Sequence, residues 1–449
     1  MTRRDARGNP VATESAAALD ASERALWRMM SFYGTPIDDL DAAIAADPAW
    51  PLPRLMKAGF LLSLTEPSLA GAAGALLDEA GSLQRGDERE REHLAALRRL
   101  AAGDWLGAGE RWQGVLQRHP RDALALQWLH LLDFYRGDST QLRGHVESVL
   151  PAWPDDDPLQ PYVLALHAFG LEESGRYAEA EATGRQALAG AARVPWAIHA
   201  VAHVMEMQGR HEEGALWMGE WRCHWGARDG DASNDEPNGF AGHLAWHEAL
   251  FALEGLDTAR ALRIFDDYLD PSRIEITLQR VDAAALLWRL RLLDVDVGDR
   301  WHELIAGWPL DAATAGHSVF NDAHAAMALI GAGEMARARQ WVTLCVEAAA
   351  RGTGWTSALS RDLGAPLLQG LLAFGEGYVA VACDSIAPLR ARLARIGGSH
   401  AQRDVVDQTL LAASAQSGDP ALGRALLAER RRAKAATPLT AHWRHRLAA

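Results

Sequence analysis

The stretch WAIHAVAHVMEMQGRHEEGALWM, from Trp196 to Met218, sets His199, His203 and Glu206 at steps of four and three. In a helix those steps bring all three side chains onto one face. Further on, GHLAWHEALFALE carries a second pair four residues apart, His243 and His247. Imidazole and carboxylate are the ligand types of many zinc and iron sites. Imidazole also titrates near neutrality, which suits proton transfer. His199, His203, Glu206, His243 and His247 are therefore the candidate ligands of a divalent metal, zinc or iron. His199, His203 and Glu206 are the candidate acid–base groups. The fragments HEEGA, HEALF and HELIA all lack the second histidine of H-E-x-x-H, so the metalloprotease pattern is absent. The structural alternative is a set of histidines hydrogen-bonded inside the fold.

Those residues must be positioned by helices. Alanine and leucine dominate the chain, while the β-formers Ile, Val, Thr and Tyr are sparse. Gly103 and Gly137 are 34 residues apart, and so are Gly175 and Gly209. Each opens a motif such as GDWLGAGERW or GRYAEAEATGRQAL. This is the tetratricopeptide period: helix, glycine turn, aromatic residue, then a small residue that lets two helices approach. Ala108 and Ala180 are the small residues, Trp105 and Tyr177 the aromatic ones, and Pro120 ends a second helix. Gly255, Gly333 and Gly418 mark degenerate copies. The fold class expected is all-α, a tetratricopeptide-like α-solenoid. A disordered leader is expected over 1–20, followed by one continuous array over 21–449. The segment Arg228–Gly239, rich in Asp, Asn and Gly, reads as an exposed loop over one end of the channel.

With Gly209 at position 15 of its repeat, His199, His203 and Glu206 fall at positions 5, 9 and 12, which in such arrays face the concave side. Stacking of neighbouring repeats would bring His167, His243 and His247 to the same region, with His167 and His247 between helices and in need of partners. Trp196 and Trp246 flank these histidines, either as pocket walls or as core. HSVFNDAH adds His317, Asn321, Asp322 and His324. The ligand-binding set is thus His167, His243, His247, Trp196, Trp246, Asn321, Asp322 and His324.

The motifs LHAFGLEESGRYAEAEATGRQAL, WAIHAVAHVMEMQGRHEEG, HLAWHEALFALEGL, VDAAALLWRL, FNDAHAAMAL, SRDLGAPLLQGLLAFGEG and GGSHAQRDVVDQTL follow one another in that order. Together they resemble the tetratricopeptide repeat protein 38 family over nearly the whole chain from about residue 25. His400 stands where the family's glycine–glycine–serine motif has asparagine. The resemblance implies the helical-repeat fold and brings no catalytic residues with it.

The formal charge of −14 argues against nucleic acid and anionic membrane as partners. With only two lysines, Lys57 and Lys434, Schiff-base chemistry has few candidates. Cys223, Cys345 and Cys383 are widely spaced and read as reduced thiols of a cytoplasmic protein. No apolar run is long enough to span a membrane. ERRRAKAATPLTAHWRHR, near the end, reads as a solvated basic face. The expected function is binding of a small polar molecule or peptide segment in a His- and Glu-lined channel, with self-association left open. The alternative is an enzyme using the same channel for metal-assisted or acid–base chemistry.

Overall fold

The computed structural model describes residues 3–226, 237–418 and 420–448. Regular structure among them is helical apart from a two-stranded ribbon, Arg3–Arg4 paired antiparallel with Pro10–Val11. The helices are joined as hairpins by tight turns. Gly103, Gly137, Gly175 and Gly209 all take a left-handed backbone there, with φ between 64° and 79°. At the degenerate repeat near residue 255 the left-handed residue is Leu256 (φ 59°), one position later than the glycine pattern indicates. Ala108 and Ala180 are fully buried, so the small-residue positions lie where helices meet. The chain is all-α and tetratricopeptide-like, and it forms two compact units.

The first unit comprises residues 1–201 and 223–240. Its hairpins run from the helix Ala16–Ser31 to the helix Tyr177–Gly190. The expectation of a disordered leader is corrected by residues 3–15, which are pinned to this unit. Asp5 accepts from the backbone N–H of Arg7 and Asn9, making a tight loop. Arg7 pairs with Glu23 at 2.7 Å, Thr13 donates to Asp47 at 2.6 Å, and Arg89 holds the Pro10 carbonyl at 3.1 Å. These bonds satisfy a segment whose composition alone has no apolar reason to fold. Of the segment Arg228–Gly239, residues 228–236 lie outside the described residues. Asn238 bridges to Tyr33, and Gly239 donates to the Phe32 carbonyl at 2.8 Å.

The second unit comprises residues 202–222 and 241–449. The helix Ala241–Glu254 packs against His211–Glu220, Thr258–Tyr268 and Thr277–Leu292. Thr277–Leu292 in turn packs on Val319–Gly331 and His400–Gln416. The last helix, Pro438–Arg446, returns to contact both Ala241–Glu254 and His400–Gln416, and its Trp443 is fully buried. Gly209 shows how close this return is. A Cβ there would stand 2.6 Å from the carbonyl oxygen of Ala435, whose N–H donates to Gln208. Ser399 and Gln402 form the capping box that opens His400–Gln416.

Candidate metal centre

Three helices carry the residues of the centre, and all of these residues belong to the second unit. Pro195–Met207 starts on a proline, whose fixed φ suits a first helical position. Its last turns bring His203 and Glu206 into the second unit. In Ala241–Glu254 every residue from Leu244 to Glu254 is buried, and in Thr277–Leu292 burial is nearly as complete. Helices enclosed on all sides have no solvent face for polar side chains, so each polar group must be answered from within the protein.

His203 and His247 have ring centroids 4.4 Å apart, and those of His243 and His247 are 4.9 Å apart. One ring nitrogen from each of the three lies within 4.8 Å of the others. His203 and His247 are fully buried, while the His243 side chain is 15% exposed. Two carboxylates orient the rings. Asp282 Oδ2 lies 2.8 Å from His243 Nδ1, and Glu206 Oε2 lies 3.3 Å from His247 Nδ1. With Nδ1 engaged, Nε2 is the nitrogen that would ligate a metal, as in carboxylate–histidine–metal sites. Burial, followed by the neighbouring His203 and His243, holds the His247 pKa well below the ordinary value. That favours the neutral imidazole a metal needs. Glu206 is pushed up to about 7, chiefly by burial, with Lys434 and Arg289 opposing and Glu254 and Asp404 adding to the rise. Glu206 Oε2 faces His247 Nδ1 within the buried interior.

Other expected site residues are distributed as follows. His199, one turn before His203 on the same helix, belongs to the first unit. There it packs among the rings of Phe169, Trp196 and Phe240 at 5.2, 4.9 and 5.1 Å. His167 is half-buried in the same unit, 3.4 Å from Glu147, and burial is the main cause of its lowered pKa. In the second unit, Trp246 is fully buried and stacks on His243 at 5.4 Å. His324 is buried, points Nδ1 at the Phe320 carbonyl 2.8 Å away, and is brought by burial to a pKa of about 4. Asp322 is pushed up to about 7 by burial and accepts from the Gly316 N–H at 3.3 Å. Asn321 is half-buried in the first turn of its helix and His317 is exposed.

Several residues of this interior had no signal in the histidine spacing. Asp282, Arg289, Glu254, Asp404, Arg430 and Lys434 come from other helices or from helix ends. The expected solvated basic face is corrected here. Arg430 and Lys434 reach inward and each meets Glu254 at 2.6 Å, while Arg430 also pairs with Asp404. Thr437 donates to Glu254 at 2.5 Å. Arg289 is 1% exposed and lies with Cζ 5.4 Å from the Trp246 ring centroid. It donates to the Ala285 and Ala401 carbonyls at 3.1 and 2.8 Å. Among the described residues, no protein group meets Arg289 Nε, Trp246 Nε1, His324 Nε2 or Asp282 Oδ1.

Two solved structures are similar to this chain. A tetratricopeptide repeat protein from Parabacteroides merdae ATCC 43184 is 13% identical with a TM-score of 0.33, over 73% of this chain and 99% of that one. Yeast Tom70 is 11% identical with a TM-score of 0.37, over 96% of this chain and 86% of that one. At these scores neither likeness carries a functional argument. No family model matches the chain. The class is therefore that of the all-α, tetratricopeptide-like helical-repeat proteins, defined by the helices and turns themselves. Among the described residues, no helix is long and apolar enough to cross a membrane.

Proposed function

We propose that the second unit holds a divalent transition metal on His203, His243 and His247, and that the protein binds a small polar molecule through it. The observation behind this reading is the convergence of three ring nitrogens within 4.8 Å, two of the rings being backed by carboxylates. Three imidazoles suit zinc or a neighbouring first-row metal. A metal held there would polarise an oxygen of the molecule that reaches it. Asp282 and Glu206 fix the tautomers of His243 and His247, and the enclosed helices keep bulk water away.

The same feature supports enzymatic use as the second reading, because histidine-bound zinc can activate water or polarise a substrate oxygen. In that reading Glu206 is the acid–base group beside the ligands. The order of motifs along the chain supports placing it in the tetratricopeptide repeat protein 38 family. None of the three cysteines is in a disulfide, which supports a cytoplasmic setting.

Elemental analysis of tag-free protein should find about one equivalent of metal. His203→Ala should abolish that occupancy and leave the helical circular dichroism intact. Wild-type protein that neither carries metal nor takes up zinc or cobalt would end this reading.

A further inference from the structure

We infer that the molecule bound at this centre is a small carboxylate, and that Arg289 receives its charge. This rests on the metal reading above. Arg289 is the observation that demands an explanation. Its guanidinium is almost wholly buried, and the protein atoms it reaches are carbonyl oxygens and the face of Trp246. Asp404, Glu206 and Asp282 act on it through space, yet among the described residues no carboxylate lies within ion-pair distance of it, and a buried cation ordinarily has an anion in contact.

The placement of Arg289 connects it to the metal centre. Asp282 and Arg289 are seven residues apart on Thr277–Leu292, hence on one face and two turns apart. Asp282 holds His243, and His243 stacks on Trp246, over which Arg289 lies. Asp282 and Trp246 therefore link the ligand histidines to the guanidinium, and His324 lies within electrostatic reach of both Arg289 and Asp282.

The atoms without a protein partner on these side chains fit a carboxylate in kind. Arg289 Nε and Trp246 Nε1 each offer an N–H with no protein acceptor. A carboxylate supplies two oxygens for two such donors, and charge-assisted bonds to guanidinium are among the stronger ones available. His324 has Nδ1 committed to a backbone carbonyl, so its Nε2 carries a lone pair. Together with Asp282 Oδ1 it would accept from a hydroxyl or amino group on the same molecule. A neutral amide of the same size offers only one oxygen and no charge, and is the natural discriminating probe.

The test uses full-length protein loaded with cobalt(II), titrated with propionate and with propionamide while the d–d absorption is followed. Propionate should bind at least about tenfold tighter than propionamide. Arg289→Gln should keep its cobalt and lose that preference, and Arg289→Lys should restore part of it. Equal binding of the two probes to the cobalt protein, or an unchanged preference in Arg289→Gln, would overturn the inference. The wild-type comparison stands even where a variant fails to fold. Thermal shifts of metal-free protein with the same two probes separate the two readings. A propionate-selective shift there, in a chain that takes up no cobalt, would sink the metal centre and support anion recognition by Arg289.

Discussion

Glu254→Gln removes the charge at the hub of the returning C-terminal segment, and its effect follows from the structure. The carboxylate receives Arg430 and Lys434 at 2.6 Å each and Thr437 at 2.5 Å, all in the buried interior. Burial alone would raise its pKa. Lys434 and Arg430 outweigh that and bring it to about 2, from an ordinary 4.5. At about 1.4 kcal/mol per tenfold change in acidity, this depression is worth on the order of 3 kcal/mol. Glutamine would also leave cations buried without their partner, which costs about 3–5 kcal/mol in comparable pairs. Both routes place the loss near 3–5 kcal/mol at pH 7. Because the folded pKa lies below the unfolded one, the contribution is fully present above about pH 4.5. It fades as pH falls toward 2. Urea unfolding followed by circular dichroism should therefore show a gap between wild type and variant that is flat from pH 7 to 5 and narrows below 4.5. Lys434→Met should recover part of the loss in the Glu254→Gln background and cost stability in the wild type. A gap under about 1 kcal/mol at pH 7, or strictly additive effects of the two substitutions, would refute the buried network as the anchor.

Asp282→Asn should weaken metal binding by about 10–100-fold in competition with a chromophoric chelator, since the orienting partner of His243 is lost; unchanged affinity would remove Asp282 from the centre. Gly170→Ala should destabilise the first unit by about 1–3 kcal/mol in denaturant titration. The added Cβ would stand 2.7 Å from Arg143 Cα and 3.0 Å from the Leu142 carbonyl oxygen, backbone atoms that move only if the helix Ser139–Val149 moves. Wild-type stability in that variant would contradict the packing described.

The fold was legible where one residue type has one physical reason to occupy a place. Glycine turns 34 residues apart, buried alanines five residues after Gly103 and Gly175, and the Ser399–Gln402 capping box are local rules, and each appears in the structure. Leu256 shows the margin of such a rule, because a hairpin can seat its left-handed residue one position past the glycine. The N-terminal segment was illegible for a different reason. Its order comes from particular side-chain bonds, Arg7 to Glu23 and Thr13 to Asp47, between residues with no periodic relation.

The candidate centre was half legible on the same grounds. Spacing on one helix is local, so the pairs His199 with His203 and His243 with His247 could be read directly. What answers them comes from across the fold: Asp282 from 39 residues beyond His243, and Glu206 from 41 residues before His247. Lys434 could not be placed by composition, because a basic run looks the same whether it meets water or a buried Glu254. The helices carrying these groups have almost no solvent face, so their polar residues cannot be incidental surface. Most of the charged residues among them meet at least one named partner, as Asp282 meets His243 and Glu254 meets Lys434. Against that background Arg289 is the exception: it is buried, it is met by carbonyl oxygens and the Trp246 face, and it has no carboxylate in direct contact, which is the ground for the carboxylate inferred above.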